Sequence, residues 1–148
     1  NLVSAYKNIE TDTHLVIAGR KGDTYAKVLN ASNATNNIIL MTDVSDDTLG
    51  LLYAKCDFCI YPSEYEGFGI PILEAFTHGK TVATSNVSSM PEVGGNAALY
   101  FNPLKREEII TCLNVLLDPV KRATYEENIS ERLPHFDSEK LLDQYQDI

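Results

Sequence analysis

A chain of 148 residues is the size of a single domain and long enough to bury one sizeable core. Hydrophobic residues at 44% and charged residues at 22% are those of a folded globular protein and exclude disordered and collagen-like classes. The net charge of -9, with basic residues adjacent only at Arg20-Lys21, Lys105-Arg106 and Lys121-Arg122, argues against nucleic acid as a partner, which needs a clustered Lys/Arg footprint.

Short apolar runs alternate with helical patterns along most of the chain. HLVIAG (14–19), NIILM (37–41), DFCIYP (57–62), TVATS (81–85) and AALYF (97–101) are β-rich and short, as buried parallel strands are. Between them DTYAKVLNAS (23–32), SDDTLGLLYAKC (45–56) and IPILEAFTHG (70–79) repeat apolar residues at three- and four-residue spacings and read as helices. Ser45 with Asp46 and Asp47 is a good helix start, and Gly79 a good stop. Such alternation implies βαβ crossovers and hence an α/β, doubly wound, Rossmann-like parallel sheet. After the fifth strand the pattern is helix only: LKREEIITCLNVLLD, then PVKRATYEENISERL opening at Asp118-Pro119, then SEKLLDQYQDI opening at Ser138. These are expected to pack as a C-terminal appendix. With no internal repeat or interior linker, residues 1–148 are expected to form one domain.

No apolar run approaches the roughly 20 residues that span a bilayer, and NLVSAYKNIETD lacks the basic start and apolar stretch of a signal peptide. The chain is expected to be cytoplasmic, and its lack of an initiator Met to mean that it is part of something longer. Three cysteines fit a reducing compartment. Cys56 and Cys59 are spaced C-x-x-C, but a thioredoxin-like pair opens a helix, whereas Cys56 closes a helical pattern and Cys59 lies in a strand run. Buried structural cysteines are expected. His14, His78 and His135 have no metal-like spacing, and no metal site is expected.

In a doubly wound sheet the ligand crevice lies at the carboxyl ends of the strands. The unusual loop there is YPSEYEGFGIPILEA (61–75). Ser63-Glu64-Tyr65-Glu66 matches a capping box superficially, but Gly67-Phe68-Gly69 follows where a helix should already run. Ile70-Pro71 is the better start, leaving the amides of Gly67, Phe68, Gly69 and Ile70 at the positive end of a helix, a place that binds phosphate. Glu66 and Glu74 bracket the turn and suit the hydroxyls of sugar rings on either side of a phosphate. The bland alternative is a solvated Glu66 and a Glu74 that complements the helix dipole. Arg20 and Lys21 sit at the same crevice edge, where a diphosphate is one partner and solvent another. Ser89-Met90-Pro91-Glu92 is a capping box whose hydroxyl-rich approach is either a phosphate or sugar contact or a structural turn.

From about His14 onward, the order HLVIAGRKG … NIILMTDVSDDTLGLLYAKCDFCIYPSEYEGFGIPILEAFTHGKTVATSNVSSMPEVGGNAALYFNP resembles the C-terminal, donor-binding domain of a GT-B glycosyltransferase: a retaining enzyme of family 4 (glycosyl transferases group 1), of the mannosyltransferase-like kind. The specific signature is Glu66, seven residues, Glu74, with GFG between. The resemblance implies that Glu74 binds the ribose of a nucleotide and that Glu66 faces the donor sugar as the candidate active-site acid. It places Gly67 to Ile70 at the sugar and its phosphates, and Thr42, Asp43 and Val44 at the base. Glu64 matches no functional position. The implied activity is transfer of a hexose from a UDP-, GDP- or ADP-sugar to a saccharide or lipid-linked acceptor, with retention and without an essential metal or other cofactor, at the cytoplasmic face of the membrane. A non-catalytic nucleotide-sugar-binding or interaction module, and an epimerase acting on a free nucleotide sugar, are the alternatives. By the same resemblance, the diphosphate-gripping Arg and Lys, the first central strand and the acceptor-binding domain all precede Asn1. A strand-sized gap is therefore expected between the second and fourth family strands.

Overall fold

The computed structural model describes residues 1–22, 25–33 and 35–136. In chain order it contains α1 (Leu2–Tyr6), β1 (Leu15–Gly19), α2 (Tyr25–Ser32), β2 (Ile38–Thr42), α3 (Asp46–Lys55), β3 (Cys59–Tyr61), α4 (Ile70–Thr77), β4 (Val82–Ser85), α5 (Met90–Gly94), β5 (Ala98–Phe101), α6 (Arg106–Leu117), α7 (Pro119–Glu126) and α8 (Ile129–Arg132). Short 3-10 turns cover Gly95–Ala97 and Leu133–Phe136. All five expected strands and the three helices between them form where the pattern put them. The expected helix starts at 23–24 and at Ser138 lie outside the described residues.

Every strand pairing is parallel, but the strands make two sheets: β1 with β2, and β3 with β4 with β5. The first runs in register from Leu15 opposite Ile38 to Gly19 opposite Thr42. In the second, Cys59 lies opposite Val82, Val82 opposite Ala98 and Ser85 opposite Phe101. β1 and β3, expected on either side of a strand-sized gap, fall in different sheets.

Local chemistry explains the helix ends. The Ser45 hydroxyl accepts from the Thr48 amide at 3.3 Å and starts α3. Asp118 accepts from the Val120 and Lys121 amides at 3.0 and 3.3 Å and starts α7, with Pro119 in its first turn. Those amides, the Lys121 one foremost, hold the Asp118 carboxyl below its ordinary range. Gly79, at φ 69°, turns the chain out of α4 in a left-handed conformation that only glycine adopts without strain.

Strand β4 is the buried centre, with Val82, Ala83, Thr84 and Ser85 all fully enclosed. Its pleat sends Ala83 into one apolar cluster and Val82 into another, so both faces are covered. The first cluster joins Ala5 and Tyr6 of α1, Leu15 and Ile38 of the two-stranded sheet, Leu99 and Phe101 of β5, and Ile109, Leu113 and Leu116 of α6. The second gathers Ile72, Ala75 and Phe76 of α4 with Met90, Val93 and Ile129. Two enclosed hydroxyls find carbonyls, Thr81 donating to Ala97 at 2.6 Å and Thr84 to Tyr61 at 3.0 Å.

The helices after β5 correct the expectation in two ways. Helix α6 is no appendix: its apolar stripe completes the first core. The expected single helix over 119–133 divides at Glu127-Asn128, where the Asn128 amide group donates to the carbonyls of Asn96 and Thr124. The division lets Ile129 enter the second core. A short N-terminal helix, α1, forms without having been expected.

Because Phe101 is fully enclosed where β5 meets α6, Phe101→Ala is expected to destabilise the fold by about 3–5 kcal/mol. Urea unfolding checks this as a fall in midpoint at unchanged slope.

Candidate functional site

The strand-to-helix turn after β3 forms as the sequence implied. Gly69 caps α4 at φ 91° and ψ 39°, a left-handed conformation, and its carbonyl accepts from the Ile72 amide at 3.0 Å. Pro71 lies in the first turn, where its missing N–H costs nothing. Among the described residues the amides of Gly67, Phe68, Gly69 and Ile70 donate to no acceptor in the chain. These free donors precede two turns of helix whose dipole is positive at that end.

Two carboxylates flank the turn, and each is held by a phenol. Tyr61, the last residue of β3, donates to Glu66 Oε1, which also accepts from the Ser63 hydroxyl at 3.1 Å. Tyr53 of α3 donates to Glu74 Oε2 at 2.9 Å, and its ring stacks on His78 with centroids 5.3 Å apart. Burial first, and then the bonded carboxylate, push both phenols well above the ordinary tyrosine range. Both therefore stay protonated donors throughout the physiological range.

The loop before α5 locks the Glu66 backbone. The hydroxyls of Ser88 and Ser89 both donate to the Glu66 carbonyl, the latter at 3.3 Å. This corrects the capping-box expectation. Ser89 does occupy the N-cap, but its backbone is helical (φ -77°, ψ -12°) rather than extended as a capping residue's is, and its hydroxyl accepts from no helix amide while donating to Glu66. At the carboxyl end of β4, the fully buried Ser85 hydroxyl has no hydrogen-bond partner among the described residues. From the opposite flank, Phe136 meets Phe68 edge-on, centroids 6.1 Å apart. Arg132 lies 4.9 Å over the Phe136 ring and donates to the carbonyls of Glu92 and Val93.

The remaining expected residues gather at the end of the first sheet. Arg20 lines a cleft of about 220 Å³ with Ile17, Tyr25, Val28, Leu40 and Thr42, and the Lys21 ammonium lies 5.4 Å from the centroid of the Tyr25 ring. Asp43 adopts φ 56°, and its amide donates to Gly19 at 3.4 Å; Val44 beside it is half-buried. Among the described residues no hydrogen bond or ion pair links this group to the Glu66–Glu74 group. Glu64 is exposed. No set of three or more His, Cys, Asp or Glu side chains among the described residues could hold a metal ion.

Sequence reasoning singled out the Ser89 loop but missed that Tyr53, Tyr61, Ser63, Ser88 and Ser89 hold the two glutamates. Only Tyr61 and Ser63, five and three positions before Glu66, lay close enough in the chain to have been noticed.

A two-phenol, two-carboxylate turn with free amides invites comparison with known proteins. The sequence profile described as Glycosyl transferases group 1 matches residues 1–118. The chain belongs to this glycosyltransferase family. It is 38% identical over 109 residues to O-antigen chain mannosyltransferase B of Escherichia coli, covering 69% of this chain and 29% of that protein. It is 35% identical over 78 residues to MMP alpha-(1->4)-mannosyltransferase of Mycolicibacterium hassiacum, covering 51% and 19%. The chain thus spans less than a third of the length of either relative. Among solved structures, sucrose-phosphate synthase from Thermosynechococcus elongatus superposes with a TM-score of 0.82 at 21% identity, over 99% of this chain and 40% of that one. Anabaena Alr3699/HepE in complex with UDP superposes at 0.80, also at 21% identity, over 99% and 44%. These neighbours are GT-B glycosyltransferases, and the chain has the fold of one half of that architecture.

A Cβ added to Gly69 would meet Ile72 Cδ1 at an ordinary 3.4 Å, so its cost is backbone strain rather than a clash. Gly69→Ala is expected to lower stability by about 1–2 kcal/mol, read as a fall in Tm by calorimetry.

Proposed function

We propose that this chain is the donor-binding domain of a two-domain, retaining hexosyltransferase of family 4. It transfers a hexose from a nucleotide sugar to a saccharide or lipid-linked acceptor in polysaccharide or glycolipid biosynthesis. The observation that carries the reading is the turn at 66–74, where four free amides lie between two phenol-held carboxylates. The names of the curated relatives support mannose as the hexose and O-antigen-like polymers as the product. The neighbours solved with UDP and UDP-glucose support a nucleoside diphosphate sugar as the donor.

In this reading the donor lies along the crevice. Glu74 accepts from the ribose hydroxyls, and the backbone of Asp43 and Val44 meets the base. The amides of Gly67, Phe68, Gly69 and Ile70 face the diphosphate, with Arg20 and Lys21 on the crevice edge opposite. Glu66 accepts from the hexose hydroxyls and is the candidate catalytic acid. Reaction breaks the bond between the anomeric carbon and the diphosphate oxygen, and the acceptor oxygen takes that place on the same face of the ring. Negative charge grows on the departing diphosphate, and preorganised N–H donors stabilise it more than they stabilise the bound donor. The reading assigns no role to a metal or other cofactor.

The acceptor contacts belong to a second domain, and we propose that residues 1–148 alone turn over no substrate. We place the full-length enzyme at the cytoplasmic membrane face; no helix among the described residues is long and apolar enough to cross a bilayer.

In the full-length protein, Glu74→Ala is expected to weaken nucleoside diphosphate binding roughly 10- to 100-fold, the loss of charged hydrogen bonds worth about 1.5–3 kcal/mol. Glu66→Ala is expected to lower kcat by at least about 100-fold with a smaller change in KM. Titration calorimetry and a transfer assay check these, and unchanged turnover in Glu66→Ala would favour a non-catalytic module instead.

A further inference from the structure

The turn between α3 and β3 departs from the expectation of buried structural cysteines. Cys56 and Cys59 are only partly buried, and their Sγ atoms lie 3.6 Å apart. Cys112, by contrast, is buried, its thiol donating to the Tyr100 carbonyl at 3.5 Å. A disulfide has its sulfurs about 2.05 Å apart, so the two thiols need approach by only about 1.5 Å. The pair is also chemically unequal. Hydrogen bonding from Cys59, helped by the Lys80 ammonium, lowers Cys56 to about 7 against the opposing cost of burial. The same contact, together with burial, pushes Cys59 far above the ordinary thiol range. One sulfur is thus substantially thiolate near neutral pH while the other keeps its proton, the division that disulfide exchange uses.

What this turn connects is unusual. Tyr53 stands three residues before Cys56 and donates to Glu74; Tyr61 stands two residues after Cys59 and donates to Glu66. In its protonated form the Cys56 thiol donates to the Tyr53 carbonyl at 3.3 Å, so the sulfur lies against the very residue that holds Glu74. The segment CDFC is the covalent link between the two phenols that hold the two carboxylates.

We propose that Cys56 and Cys59 form a redox-active dithiol that a small-molecule disulfide oxidises, and that closing the bond between them resets the Glu66–Glu74 pair through Tyr53 and Tyr61. The Cys56 thiolate attacks one sulfur of glutathione disulfide and releases one glutathione thiolate. Cys59 then gives up its proton and attacks Cys56 Sγ, releasing the second glutathione. The protein loses two hydrogens, and the oxidant is reduced to two thiols. Closure turns the Cys56 sulfur away from the Tyr53 carbonyl and tightens the end of α3. The chemical half of the proposal is independent of the donor-binding reading; its effect on nucleotide affinity rests on it.

The test uses the full-length protein, reduced or treated with glutathione disulfide. Expected are a mass loss of about 2 Da reversed by dithiothreitol, absent in Cys56→Ser and in Cys59→Ser, with the link mapped to Cys56 and Cys59. Amide hydrogen exchange across residues 66–74 is expected to change on oxidation of the native protein but not in Cys59→Ser, and to change less in Tyr53→Phe. The Kd for UDP or GDP is expected to shift by at least about threefold, or about 0.65 kcal/mol, on oxidation. Absence of the Cys56–Cys59 link overturns the proposal, as does a link that leaves exchange across 66–74 unchanged. A link that alters exchange in a protein whose reduced form binds no nucleoside diphosphate leaves the dithiol standing and overturns the donor-binding reading.

Discussion

The arrangement of this fold depends on a core shared by two sheets that no backbone ladder joins. Ala5 and Tyr6 of α1, Leu15 and Ile38 of the first sheet, Ala83, Leu99 and Phe101 of the second, and the inner stripe of α6 form one apolar cluster. A parallel ladder specifies neighbouring strands to the residue, whereas apolar packing is non-directional. The spacing between the loop ends of the two sheets is therefore a property of side-chain volume. On the donor-binding reading proposed above, that spacing would set the distance between Arg20, Lys21, Asp43 and Val44 and the Glu66–Glu74 turn. The cover is uneven as well: Val16 of β1 and Ile39 of β2 are 38% and 43% exposed, where strands of a doubly wound sheet are ordinarily enclosed on both faces.

What the sequence made legible was local. The alternation of β-rich runs with helical periodicity specified each strand, because both periods are written in neighbouring residues. Gly69-Ile70-Pro71 specified the helix start, since a left-handed cap and a proline in the first turn are backbone requirements carried by single residues. Glu66 and Glu74 bracketed that turn, but it was the family resemblance of their spacing, with GFG between, that set them apart from ordinary acids near a helix start. What was hidden is tertiary. Tyr53 lies 21 positions from Glu74, and Ser88 lies 22 from Glu66. Nothing in a helix pattern distinguishes a tyrosine that reaches a carboxylate from one that fills a core. The failed capping box at Ser89 shows this directly, because a tertiary contact sets its geometry: the backbone is already helical there and the hydroxyl points to the Glu66 carbonyl. Helix α6 was misread because its stripe reveals that it packs on something and not on what.

The choice of phenols to hold the two glutamates fits the roles proposed for the carboxylates. A Lys or Arg partner would neutralise each carboxylate and occupy its oxygens with several donors, leaving little for a ligand hydroxyl. A tyrosine offers one neutral donor, which orients the group while leaving its charge and most of its acceptor sites free. Burial raises the Tyr53 and Tyr61 hydroxyls far enough that neither loses its proton at physiological pH, so the donor is permanent. The carboxylate raises its phenol further in each case, and the two effects reinforce one another. Under the proposed donor-binding reading, the same logic explains how a chain of net charge -9 could receive an anion. Its attraction is short-ranged and made from amides that have no other acceptor, so it acts over a few ångströms at Gly67 to Ile70 while the overall charge governs only the approach. A site of this kind tolerates acids at its two ends and excludes them from its middle, and the run Glu66-Gly67-Phe68-Gly69-Ile70-Pro71-Ile72-Leu73-Glu74 has that order.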